Sequence, residues 1–177
     1  NIPLLTHIAE FQKPMIVSTG GGTMEDVNRA YDAIMPINQQ LCILQCTAGY
    51  PAEFEELNLK VITTFRERFP NTTIGLSSHD NGIAMAVAAY MLGARVIEKH
   101  FTLNHTWKGT DHAFSLEPIG FRKLVRDLIA MMGATPHFID PYEHDGLIGG
   151  TEHLADVLAE SEAVVIATPT ETHFDLA

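Results

Sequence analysis

The stretch ARVIEKHF, residues 94–101, opens as a buried strand and then carries an acid, a base and an imidazole in succession. Side chains of a strand alternate between two faces. Val96, Glu98 and His100 therefore point one way, and Ile97, Lys99 and Phe101 the other. One face packs and the other carries chemistry. Three more runs have the same strand character: PMIVSTG (14–20), LCILQCT (41–47) and TTIGLSS (72–78). Their starts recur roughly every 22 to 31 residues, the spacing of βα units.

Helical patterns fill the gaps. Thr23 and Asp26 form a capping-box signature ahead of Val27, Ala30, Tyr31 and Ile34. Leu57, Val61, Ile62 and Phe65 recur at helical spacing, as do Ile83, Val87 and Tyr90. A further helix follows Pro118, with Phe121, Leu124, Val125, Leu128 and Ile129 on its apolar face. Strands that are apolar on both faces belong to a sheet covered on both sides, hence a parallel α/β architecture. Four such units are half of a (β/α)8 barrel, and a doubly wound sheet fits the pattern equally well.

The alternation places Gly75, Ser77 and His79 on one face, and Ile16 with Ser18 on another. In a barrel these polar residues meet near the C-terminal ends of neighbouring strands, where barrel enzymes keep their chemistry. Two imidazoles, His79 and His100, beside the carboxylate Glu98 suit a divalent ion of the Mn, Fe, Co or Zn kind. Ser18 and Ser77 offer hydroxyl donors to an anionic substrate. The TGGGT run (19–23) is a tight turn or a phosphate-binding loop.

Composition bounds the rest. Of 177 residues, 46% are apolar and 19% charged, which describes a globular protein. No apolar run reaches the roughly 18 residues of a membrane span, and no leader signature opens the chain, so a cytoplasmic protein is expected. Cys42 and Cys46 read as small buried hydrophobes of a reducing compartment. Net charge is −11. Residues 1–133 hold all 11 Lys and Arg with 13 Asp and Glu, whereas 134–177 hold nine acidic residues and no Lys or Arg. A segment boundary is therefore expected near Gly133-Ala134. Neither part has the basic patch of a nucleic-acid binder. The chain starts with Asn and stops within a helical pattern, which points to a piece of a longer protein.

KPMIVSTGGGTMEDV, LQCTAGYPAEFEELNLKVI, IGLSSHDNGIAMAVAAYMLGARVIEKHFTL and KGTDHAFSLEP, in this order, resemble the sialic acid synthase family over about residues 1–130. The resemblance implies the C-terminal half of a (β/α)8 barrel, roughly its last four βα units. It implies metal-dependent condensation, typically with Mn²⁺, of phosphoenolpyruvate with N-acetylmannosamine or a related N-acetylated sugar, releasing phosphate. Carried over by position, His79 and His100 match metal ligands, while Glu98, Asp111 and Tyr50 match active-site residues. Ser18 and Ser77 match phosphoenolpyruvate-binding hydroxyls. Ala48 stands where the pattern often has Asn, and Ser78 where it usually has Asp, which points to a divergent branch.

In the last segment PHFID (136–140) and AVVIATP (163–169) read as strands, with helices expected at 150–161 and from 172. HFID and ESEAVVIATPTETHFDLA resemble the Rossmann domain of the Gfo/Idh/MocA oxidoreductases. That implies a partial βαβ nicotinamide-binding segment over 134–177, with Asp140 at the ribose and Thr168, Pro169 and His173 at the cofactor edge. A glycine-rich phosphate loop is absent before HFID, so NAD(P) binding is the lesser expectation. Two further readings stand beside the synthase: a non-catalytic fusion remnant or interaction piece, whose open half-barrel edges favour self-pairing as in a homodimer, and a nicotinamide-dependent Gfo/Idh/MocA-type oxidoreductase.

Overall fold

The computed structural model of the chain describes residues 1–132 and 164–169. Helix α1 (Ile2–Ala9) is followed by strand β1 (Met15–Ser18), α2 (Met24–Ile34), β2 (Leu41–Cys46), α3 (Val61–Arg68) and β3 (Thr73–Ser78). Then come α4 (Ala84–Met91), β4 (Val96–Phe101), α5 (Pro118–Met132) and β5 (Val164–Pro169). All five strands are parallel and lie in chain order, β1 to β5. Sequential parallel strands joined by helices, with a curled sheet, make this a half-barrel of the (β/α)8 kind. No helix among the described residues is long and apolar enough to cross a membrane.

The four expected strands are all present. β2 is buried along nearly its whole length because both of its faces are apolar. On the helix side, Ile43, Ile74, Leu76 and Ile97 pack against Ile62, Phe65, Ala86, Ala89, Leu124 and Leu128. Burying each large side chain of this set contributes about 1.5–3 kcal/mol. On the opposite side, a Cβ added to Gly75 would come 2.4 Å from both Leu44 Cδ2 and the Val96 carbonyl oxygen. Glycine is required there by the close approach of the two flanking strands.

The helices follow their signals with two differences. The capping box at Thr23 and Asp26 is formed in both directions and starts α2. Leu57 falls outside α3, in the turn before it, because Asn58 takes a left-handed backbone conformation (φ 48°) that ends the local turn. Its side chain is buried all the same, donated to the core from that turn. Helix α1, capped by the Asn1 side chain on Leu4 N–H, has no counterpart in the periodicity described above.

The strand expected at 163–169 forms as β5, but not in a sheet of its own. It pairs in parallel with β4 from Val96↔Val164 to Phe101↔Pro169. A Rossmann-like βαβ fragment over 134–177 is not shown among the described residues. The edge of β4 presents unpaired backbone donors and acceptors, and an apolar strand satisfies them. The strand expected at 136–140, the helices expected at 150–161 and from 172, and Asp140 and His173 lie outside the described residues.

Two predictions test these contacts. Gly75→Ala should lower stability by about 1–3 kcal/mol, since the new methyl meets backbone that cannot yield; urea unfolding of the two chains measures it. Asp26 is held at a pKa of about 2 by hydrogen bonds from Thr23 and Arg29. Its ionised form therefore adds stability that is present above about pH 4 and lost as pH falls through about 2. The gap in urea midpoint between the parent chain and Asp26→Ala should be constant from pH 7 to 5 and shrink steadily below about pH 4.

Candidate active site

The register of β3 and β4 sets Ser77 opposite Glu98, and the Ser77 hydroxyl donates to Glu98 Oε1 at 2.8 Å. Two residues further along the same faces, His79 and His100 meet with ring centroids 5.3 Å apart. Tyr50, from the loop after β2, stacks on His79 at 4.1 Å and meets His100 edge-on at 6.1 Å. Phe114 closes the far side, 5.1 Å from the His100 ring. Tyr50 is half exposed and stands at the mouth, while His79 is buried.

Each imidazole has a defined state. His79 Nδ1 lies 2.8 Å from the Thr47 carbonyl. A carbonyl only accepts, so Nδ1 carries the proton, and Nε2 of the neutral ring keeps its lone pair. Burial holds His100 below the ordinary histidine pKa, and neighbouring His79 adds to this, against opposing pulls from Asp111 and Glu98. His100 Nδ1 is buried with no hydrogen-bond partner; Asp111 Oδ2 lies 3.9 Å away, beyond bonding distance. A ring nitrogen with an open lone pair and a second left without a partner are the donors a borderline metal ion uses. No third His, Cys, Asp or Glu stands close enough among the described residues to complete a ligand group. Two imidazoles are what the described residues offer such an ion.

The loop after β4 delivers Asp111. Its centre is a buried contact of 2.8 Å between Thr102 Oγ1 and His112 Nδ1, beside which Ser115 Oγ donates to the Asp111 carbonyl at 2.6 Å. Ser115 N–H also reaches the His112 carbonyl, closing the short turn His112–Phe114.

Of the expected residues, Tyr50, Ser77, His79, Glu98, His100 and Asp111 are brought together. Ser18 is not. It ends β1, two strands from Ser77, and lines a cavity of about 450 Å³ with Thr19–Gly22, Tyr31 and residues of α1. Thr168 and Pro169 stand in register with His100 and Phe101 on the neighbouring strand. Two neighbours of the site, Cys46 and Phe114, escaped the reading of the sequence. Cys46 is only half-buried and lies in register with Ser77. Its alternation phase with Leu44 was the available signal. Phe114 carried no local signal, because its place depends on what folds against it.

A curled parallel sheet with imidazoles and carboxylates at its strand C-termini defines the class as a (β/α)8-type barrel protein. The NeuB family model matches residues 1–137, and the chain belongs to that family. It is 44% identical over 128 residues to the Homo sapiens N-acetylneuraminate-9-phosphate synthase, covering 72% of this chain and 36% of that protein. The Drosophila melanogaster protein of the same name is 34% identical over 168 residues, covering 94% of this chain and 45% of its own length. The latter likeness extends past residue 137, into the segment read as Rossmann-like. The crystal structure of N-acetylneuraminic acid (sialic acid) synthetase from Leptospira borgpetersenii serovar Hardjo-bovis, in complex with citrate, superposes with a TM-score of 0.70 at 27% identity. That match covers 89% of this chain and 52% of the other. The chain spans between about a third and a half of the length of these relatives.

The loop contact is testable. Thr102→Val removes the partner of a buried imidazole nitrogen and should cost about 1–3 kcal/mol in urea unfolding. Thr106→Ala, an exposed change in the same loop, should stay within about 0.5 kcal/mol.

Proposed function

We propose that this chain forms the site-bearing wall of a synthase that condenses phosphoenolpyruvate with N-acetylmannosamine or a related N-acetylated sugar, releasing phosphate. The observation that carries this is the meeting of His79, His100, Glu98 and Ser77 at the ends of adjacent parallel strands in a member of the NeuB family. In such a reaction carbon 3 of phosphoenolpyruvate bonds to the sugar aldehyde carbon, water adds at carbon 2, and phosphate leaves.

The residues divide the work by their chemistry. His79 and His100 would hold a divalent ion, Mn²⁺ in keeping with the family resemblance. Such an ion, when bound, polarises a carbonyl as a Lewis acid. Glu98 accepts a hydrogen bond from the Ser77 hydroxyl, which orients the carboxylate to take a proton from the entering water. Tyr50 keeps its phenol proton, because burial and the nearby Cys46, Asp111 and Glu98 raise its pKa; it donates at the mouth. Asp111 faces His100 from a loop and is placed to accept from a sugar hydroxyl. Ser18 and Ser77 lie two strand spacings apart, roughly 10 Å, a span suited to the two ends of an anionic substrate rather than to one group.

The proposal places this site in residues 1–133, with a segment boundary near Gly133-Ala134 drawn on charge alone. It does not extend to a nicotinamide cofactor, since Thr168 and Pro169 sit on a strand paired with β4. A partner that completes the barrel, whether more of the same polypeptide or a second copy, belongs to the same reading.

Isothermal titration with Mn²⁺ tests the metal pair directly. His79→Ala and His100→Ala should each weaken binding by at least about tenfold; unchanged affinity in both would end the metal reading. Phosphate release from phosphoenolpyruvate should require N-acetylmannosamine or its 6-phosphate and should vanish in Glu98→Gln. Release at the same rate without any sugar would count against a condensation.

A further inference from the structure

The helix-facing side of the site strands carries a buried ion pair that the proposed chemistry does not touch. Lys99 and Asp80 are 2% and 0% exposed. Lys99 Nζ donates to Asp80 Oδ1 at 3.0 Å and to the Asp80 main-chain carbonyl at 2.6 Å. Ser78 Oγ donates to the same carboxylate oxygen. Taking two charges out of water costs much of what their attraction returns, and an apolar pair of similar volume serves stability as well or better. Stability alone therefore gives no reason for the pair. Its direction does.

The β3–β4 ladder ends at Ser78↔Lys99. His79 and His100 lie one residue beyond it, where backbone pairing no longer sets the distance between the strands. His79 is tied on its other flank to the β2 side, through Nδ1 to the Thr47 carbonyl and through its own carbonyl to Ala52 N–H. The bonds from Lys99 tie the residue after His79 to the residue before His100. Alternation then throws both imidazoles to the opposite side of the sheet, facing one another.

We infer that Lys99 and Asp80 are positioning residues that continue the strand pairing beyond the ladder and set the separation of the His79 and His100 rings. The inference rests on the reading of those two imidazoles as the metal-holding pair.

The test uses the double variant Lys99→Met/Asp80→Leu, which removes both charges and leaves no unpaired ion. Urea unfolding reports stability, titration with Mn²⁺ alone reports binding, and NMR of the metal-free chain reports the ring ¹⁵N and ¹H resonances of His79 and His100 and the cross-relaxation between the rings. The expected result is a urea midpoint at or above that of the parent. Mn²⁺ affinity should fall on the order of 10–100-fold, ring resonances should shift, and inter-ring cross-relaxation should weaken. A folded double variant with parental ring resonances and cross-relaxation would overturn the inference. Should the parent itself bind no Mn²⁺, the metal reading fails, and the metal-free ring spectra still decide positioning. Should the double variant not fold, Ser78→Ala decides: it removes one hydrogen bond to the Asp80 carboxylate at almost constant volume. Shifted His79 resonances then support the inference, and unchanged ones overturn it.

Discussion

A slip of one residue between β3 and β4 would turn Glu98 and His100 into the helix layer and push Lys99 into the site. Everything chemical about this chain depends on that register. It is held from both sides of the sheet. On the helix side, Ile74, Leu76 and Ile97 sit in one apolar cluster with the side chains of α3, α4 and α5. On the other, Gly75 lets Leu44 and Val96 close over it, and no side-chain-bearing residue fits there. A slipped β4 would bury Glu98 among hydrocarbons and set a different residue against Gly75, so both faces oppose the error at once.

The same alternation separates two kinds of polar chemistry across one layer of backbone. Lys99 and Ser78 both bond Asp80 Oδ1 on the dry side, while Asp80 Oδ2 is buried there without a hydrogen-bond partner. Ser77, Glu98, His79 and His100 stand on the side that opens at Tyr50. Charges on the dry side are paired because no water reaches them to compensate. On the open side Nδ1 of His100 is likewise buried without a partner, in a ring that meets Tyr50 edge-on.

Local rules carried a large part of the fold. The Thr23–Asp26 box, the four apolar runs and the helix after Pro118 each follow from neighbours within a few residues, and each appears as expected. Leu57 failed because a single left-handed residue, Asn58, interrupts a pattern that periodicity alone reads as continuous. At residues 163–169 the strand itself appears as expected. Its strand character was legible, but a strand's composition does not say which edge it will join, and the edge of β4 took it.

Alternation in ARVIEKHF and TTIGLSSHD determined which side chains share a face, because the period of a strand is a property of the backbone and needs no partner. Family likeness, likewise readable from residues alone, attached a chemistry to those faces. Tertiary structure decided what stands across from them. It set His79 against His100 and Tyr50, brought Asp111 to the rim through the Thr102–His112 contact, and kept Ser18 two strands away. It also joined Lys99 to Asp80, nineteen positions earlier in the chain. Such pairings come from how strands lie side by side, and the sum of long-range packing that settles this is not written in any short stretch of sequence.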